Sequence, residues 1–304
     1  MSNINSKDSL NYLHKITYAK SPERLEQILR AIFYNVRYII LCFSKACNKA
    51  NAYSILNTIL ISIMQNSVIE YLKYVDSKVT GSSFASNNIV SKPNFYIVCP
   101  CSGSQCIDKS KKPAPLNNIV CEKVGCRPFD SYAKHNTFFE AVLAEQGNLT
   151  KAYELYNGDE GKYSPYNVCW ENNNGKMFCL STAWGIIRAD FEIPRYGIAF
   201  SKANNTNLNT AGDYCDLQWR NGMKKAFNDL CICNVAGKTI PIVMIGGGLY
   251  VKRFLHLAKN VQNPVVIFTR NDSIINMCMQ LNIPYVKANT KKRTNWYYDY
   301  MKQI

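Results

Sequence analysis

The residues best equipped for chemistry stand together at positions 180–196: Ser181, Trp184, Gly185, Asp190, Glu192 and Tyr196. The apolar run Met177, Phe178, Cys179 and Leu180 just ahead has the composition of a buried strand, and the small residues and glycine that follow break it. Such a break at the carboxyl edge of a sheet lets a ligand approach backbone N–H groups. It also offers Trp184 as a flat apolar face and sets Asp190 or Glu192 as negative charge in a basic neighbourhood. The competing reading is a strand, a turn and a connecting loop that only pack.

Three other constellations carry comparable groups. In Cys99-Pro100-Cys101-Ser102-Gly103-Ser104 a glycine and two serines follow an apolar strand, a loop whose donors can hold a base carbonyl or a phosphate. Cys101, Cys106, Cys121 and Cys126 make two pairs of equal spacing, and four thiolates would complete a tetrahedral zinc site, against the plainer use of cysteine as a small core residue. No cofactor is expected for catalysis; a zinc would be structural. In Ile245-Gly246-Gly247-Gly248-Leu249-Tyr250 three glycines between a strand and a helix expose a helix amino-terminus that suits a phosphate or a base edge, with Arg253 one turn further on. The next strand ends at Thr269 and Arg270 on the same expected edge. The tail interleaves Lys291, Lys292 and Arg293 with Trp296, Tyr297, Tyr298 and Tyr300, a pattern for phosphate contact and base stacking, or for a docked terminal helix.

The elements that must position these groups follow from punctuation and period. Ser21, Pro22 and Glu23 open a helix to about residue 49, with Leu25, Ile28, Leu29, Ile32, Phe33 and Val36 on one face. A second helix over about 53–75 completes a helical hairpin, and residues 80–91 have the composition of a linker. Strands are expected at 94–99, 177–181, 241–245, 264–268 and 284–286, and helices within 131–155 and at 212–231, 249–260 and 273–281. Strands alternating with helices imply an α/β domain over 93–304, a mostly parallel sheet flanked by helices, preceded by a helical region over 1–80.

In order along the chain, Cys99-Pro100-Cys101-Ser102-Gly103, Ala152-Tyr153-Glu154-Leu155-Tyr156-Asn157-Gly158 and Leu180-Ser181-Thr182-Ala183-Trp184-Gly185-Ile186-Ile187 with Ile193-Pro194-Arg195-Tyr196 resemble the conserved blocks of YaaA-like domains, relatives of the uracil-DNA glycosylase fold. The resemblance covers roughly residues 93–290. It implies a DNA glycosylase: Asp190 first and Glu192 second as the carboxylate that stabilises the cationic sugar or positions water, and Trp184 stacking on an extruded base. Tyr156 and Tyr196 would line the other side, and Ser102 and Gly103 would belong to the binding loop. It further suggests removal of a modified base, such as glucosylated hydroxymethylcytosine of phage DNA, in anti-phage defence, and the amide- and hydroxyl-rich stretch 203–212 would suit a sugar-bearing target. Two departures stand against it: no lysine closely follows Ser102 and Gly103, and no histidine follows Arg270 where the minor-groove loop of glycosylase relatives carries one. The alternatives are a non-catalytic, DNA-binding stress-protection protein of the YaaA type and an RNA base-modifying enzyme.

Composition agrees with a polyanion as partner. With 36 basic and 21 acidic residues in 304, the formal net charge is +15, and so positive a surface attracts nucleic acid at long range. The 47% hydrophobic content excludes a disordered chain. No uncharged run reaches the length of a spanning helix, and the first residues lack a signal peptide's apolar core. A cytoplasmic protein with no membrane association is expected, its thirteen cysteines mostly reduced.

Overall fold

The computed structural model describes residues 49–84, 90–101, 140, 144, 149–157, 163–182, 184–195, 240–257 and 263–304. The expected first helix of the hairpin, the helix at 212–231, residues 85–89 of the linker and most of 131–155 lie outside these residues. The chain divides into two compact units, one of Met1–Tyr74 with Ser83–Pro93 and the other of Val75–Ser82 with Asn94–Ile304. Helix α1, Lys49–Thr80, runs longer than the expected second helix and lends its last turns to the second unit. Its buried residues Val68, Leu72 and Val75 recur at three- and four-residue spacing, one stripe of the helix. No helix among the described residues is long and apolar enough to cross a membrane.

The second unit is built on strands that read as continuous apolar runs because both their faces are covered. In chain order these elements are β1 Tyr96–Pro100, β2 Leu149–Lys151, α2 Ala152–Leu155, α3 Pro165–Asn172, β3 Met177–Ser181, β4 Gly185–Arg188 and β5 Glu192–Pro194. There follow β6 Ile242–Ile245, α4 Gly248–Leu257, β7 Val265–Thr269, α5 Asp272–Gln280, β8 Tyr285–Lys287 and α6 Tyr297–Met301. The six-stranded sheet has the order β4-β3-β1-β6-β7-β8, and β2 pairs antiparallel with β5 in a small second sheet. Five strands of the large sheet are parallel and β4 alone runs antiparallel, at one edge. The expected α/β class with a mostly parallel sheet therefore holds.

Helix starts follow their side chains. Ser164, with Pro165 at the first helical position, accepts a bond from Asn167 N–H at 3.2 Å to open α3, and its own hydroxyl donates to Asn157 Oδ1. Asn271 opens α5 by accepting from the N–H groups of Ser273 and Ile274.

Sheet order decides where a ligand can enter. From β1 the chain passes to the β3 side of the sheet, whereas α4 leads from β6 to β7 on the other side. Open α/β sheets bind ligands outside the carboxyl ends of the strands where the order turns back in this way, here between β1 and β6.

Candidate functional site

The carboxyl rim between β1 and β6 joins Cys101 to Thr182 and Tyr250. Cys101 Sγ lies 3.3 Å from Tyr250 Oη and 3.9 Å from Thr182 Oγ1, and the Tyr250 hydroxyl also reaches the Cys101 carbonyl at 3.4 Å. Beneath them the Tyr166 hydroxyl donates to the Pro100 carbonyl at 2.6 Å, tying α3 to the end of β1. Burial holds the Tyr166 phenol well above its ordinary range, so it stays a neutral donor.

The three glycines do different work. A Cβ on Gly246 would stand 2.7 Å from Cγ of Pro100, and one on Gly248 would stand 2.6 Å from Asn271 Nδ2; one on Gly247 would meet nothing within 4 Å. Gly246 and Gly248 are thus packing glycines, and Gly247 is the one that faces open space at the rim. Gly246→Ala is expected to cost about 1–3 kcal/mol, because the proline ring it meets cannot yield. Gly248→Ala would displace the capping Asn271 and cost about 1 kcal/mol. Gly247→Ala should be neutral or stabilise by up to about 1 kcal/mol. Urea unfolding of the three variants measures this order.

At the neighbouring strand ends the rim turns basic. The Arg270 guanidinium donates to the Lys292 carbonyl, which fastens the loop carrying Lys291, Lys292 and Arg293 beside the end of β7. These three side chains are exposed, and Lys292 Nζ also pairs with Asp299 at 3.1 Å. Tyr250 and Arg253 lie three residues apart on α4 and so share a face that is half-buried, while Val251, Phe254 and Leu255 turn to the core. In the tail, Trp296 and Tyr300 pack edge-on against Phe268, so the docked-helix reading describes them, while Tyr297 and Tyr298 remain half-buried.

Several expected site residues prove to be framework. Trp184 is 3% exposed in the turn that returns β3 into β4, and it has no open face on which a base could stack. Ser181 is fully buried, its Oγ accepting the Trp184 N–H at 3.1 Å, and Gly185 supplies the positive φ of 75° that the turn requires. Tyr156 is 1% exposed against the Tyr166 ring, and Thr269 is buried with its hydroxyl donated to the Gly246 carbonyl. Ser102, Gly103, Ser104, Tyr196 and the cysteines at 106, 121 and 126 lie outside the described residues. Cys101 is a free thiol, and among the described residues no group of three or more His, Cys, Asp or Glu could hold a metal ion.

The expectation that Asp190 and Glu192 stand beside Trp184 is corrected by β4; the loop after β1 lies outside the described residues. That strand leaves the rim at Gly185, which pairs with Ser181, and descends to Arg188, which pairs with Phe178; Ala189 N–H then bonds the Met177 carbonyl at the foot of the sheet. Three strand steps already separate Arg188 from the rim by roughly 10 Å. Asp190 is held there by a bidentate pair with Arg188 at 2.9 and 2.8 Å, and Glu192 lies in the small sheet opposite Lys151. Near Asp190 the Tyr153 ring stacks on Trp170 with centroids 5.0 Å apart, and Glu154 and Glu171 add further negative charge. Asp190 and Glu192 thus lie at the amino end of the strands, each beside a basic residue, Arg188 or Lys151.

The Arg188 guanidinium holds the Asp190 carboxyl below its ordinary value of 3.8. A depressed folded value means that the pair stabilises the protein above the unfolded value and that this contribution disappears as pH falls through the folded one. Asp190→Asn should therefore cost at most about 1 kcal/mol at neutral pH, the side chains being more than one-third exposed, and nothing in strong acid. Thermal unfolding of both forms across the acid range would show the difference close.

No protein-family model, no curated protein and no solved structure matches the chain.

Proposed function

We propose that the protein binds nucleic acid across the carboxyl rim of its parallel sheet and hydrolyses the N-glycosidic bond of a modified base, leaving an abasic site. The observation that carries the binding step is the Arg270 bond to the Lys292 carbonyl, which gathers Arg270, Lys291, Lys292 and Arg293 past the ends of β7 and β8, on the same rim as the point between β1 and β6 where the sheet order turns back. Phosphates would lie along these cations while a base enters beside Gly247, near the Cys101, Thr182 and Tyr250 polar groups. Anti-phage defence is the setting that modified DNA would supply, with glucosylated hydroxymethylcytosine the base suited to the stretch 203–212.

Asp190, the carboxylate expected for this reaction, is paired with Arg188 three strand steps or more from the rim. That same placement favours a second reading, binding without cleavage. Incubation with DNA rich in glucosylated hydroxymethylcytosine and with plain DNA, followed by alkali, separates the two. Strand breaks confined to the modified DNA support the glycosidase, unchanged in Asp190→Asn. Retention of both DNAs without breaks leaves the binding protein. Failure to bind either one overturns both.

A further inference from the structure

The basic loop of the rim is six residues long, 290–295, and its ends are fixed by one carboxylate. Asp76, in the last turns of α1 and 6% exposed, accepts the Asn289 backbone N–H at 2.9 Å and the Tyr300 hydroxyl at 2.7 Å on one oxygen. Its other oxygen accepts Asn289 Nδ2 at 2.7 Å. Asn289 immediately precedes the loop, and Tyr300 lies in the helix just after it, where its ring also packs edge-on against Phe268 at 4.9 Å and Trp296 at 5.5 Å. Arg270 holds the middle of the loop through the Lys292 carbonyl. A carboxylate that accepts three hydrogen bonds from both ends of one loop restricts that loop far more than a surface ion pair would.

Resting on the nucleic-acid reading above, we propose that Asp76 is a positioning residue for binding. It presents Lys291, Lys292 and Arg293 as one set of phosphate contacts, although it touches no nucleic acid itself. Ordering three cations before contact removes the entropy that each would otherwise lose on binding, so releasing the loop weakens affinity without removing any charge from it.

The test uses the full chain and a fluorescein-labelled single-stranded oligodeoxynucleotide, with affinity measured over a range of salt. Two variants release the loop differently: Asp76→Asn leaves one acceptor, and Tyr300→Phe removes a hydroxyl while keeping the core ring. Each is expected to lower affinity about tenfold and to shrink the slope of log K against log salt by about one to two as cations disengage. In a background of Lys291→Ala, Lys292→Ala and Arg293→Ala neither should have any further effect, since the groups it positions are gone. Ile187→Ala, buried in β4 at the far edge of the sheet from the loop, controls for lost stability and should leave the slope unchanged. If the triple variant binds normally, the nucleic-acid reading fails. If the triple variant weakens binding but Asp76→Asn and Tyr300→Phe leave the slope unchanged, or act equally in the triple background, the positioning role is wrong and the reading of the rim stands.

Discussion

Replacing Lys291, Lys292 and Arg293 together with alanine is expected to weaken binding to nucleic acid by about ten- to a hundredfold at moderate salt. It should also reduce the slope of log K against log salt by about two to three, one counterion released per lost phosphate contact. The three side chains are exposed, and the loop's backbone is held through Asp76 and Arg270, so the fold should survive the change. Fluorescence anisotropy at several salt concentrations measures both effects, and circular dichroism checks the fold. The loss should be similar for plain and modified DNA, because phosphate contacts carry no base information. A triple variant that binds as the native chain does, with the same slope, would remove the rim from consideration.

The largest effect on stability is expected from Phe268→Ala, at about 3–5 kcal/mol. Phe268 is fully buried near the end of β7 and is the surface on which Trp296 and Tyr300 seat α6, with ring centroids 6.1 and 4.9 Å away. Truncation would leave a cavity beneath the Trp296 and Tyr300 rings, which the backbone of α6 holds in place. An unfolding midpoint lower by roughly 10 °C is the expected reading. Because α6 holds the far end of the basic loop, the variant should also lose affinity at temperatures where it remains folded. Phe268→Leu, which refills most of the volume, should recover most of both. A midpoint that barely moves would mean that the terminal helix contributes little to the fold.

The parallel strands were legible because burial on both faces leaves a uniform apolar run: Met177–Ser181 was expected within its observed bounds, and β1, β6, β7 and β8 fell within two residues of theirs. Helices α4 and α5 were expected at 249–260 and 273–281 and begin at Gly248 and Asp272. The small sheet, α3 and β4 were not. Gly185–Arg188 is only four residues long, follows a three-residue turn and is as apolar as a packed connection, so nothing local distinguishes an antiparallel edge strand there. That strand also misled the reading of the site. Positions 184 and 190 are close in sequence, which suggests a shared site, yet the strand between them carries them to opposite ends of the sheet.

Asp76 shows the reverse relation. Nothing in the sequence around it signals a partner more than two hundred residues away, and a buried aspartate looks like any other helical acid until its three donors are seen.

By itself, the order of apolar runs, glycines and charges determined the α/β class, the alternation of strand and helix, and the excess of positive charge, because these depend on residue type and local period. Strand order and direction decided the rest: which glycine faces open space, which aromatic rings are core, and which acid is remote from the rim. Those depend on contacts between residues far apart in the chain, and pairing across a sheet is a long-range property that no local pattern encodes.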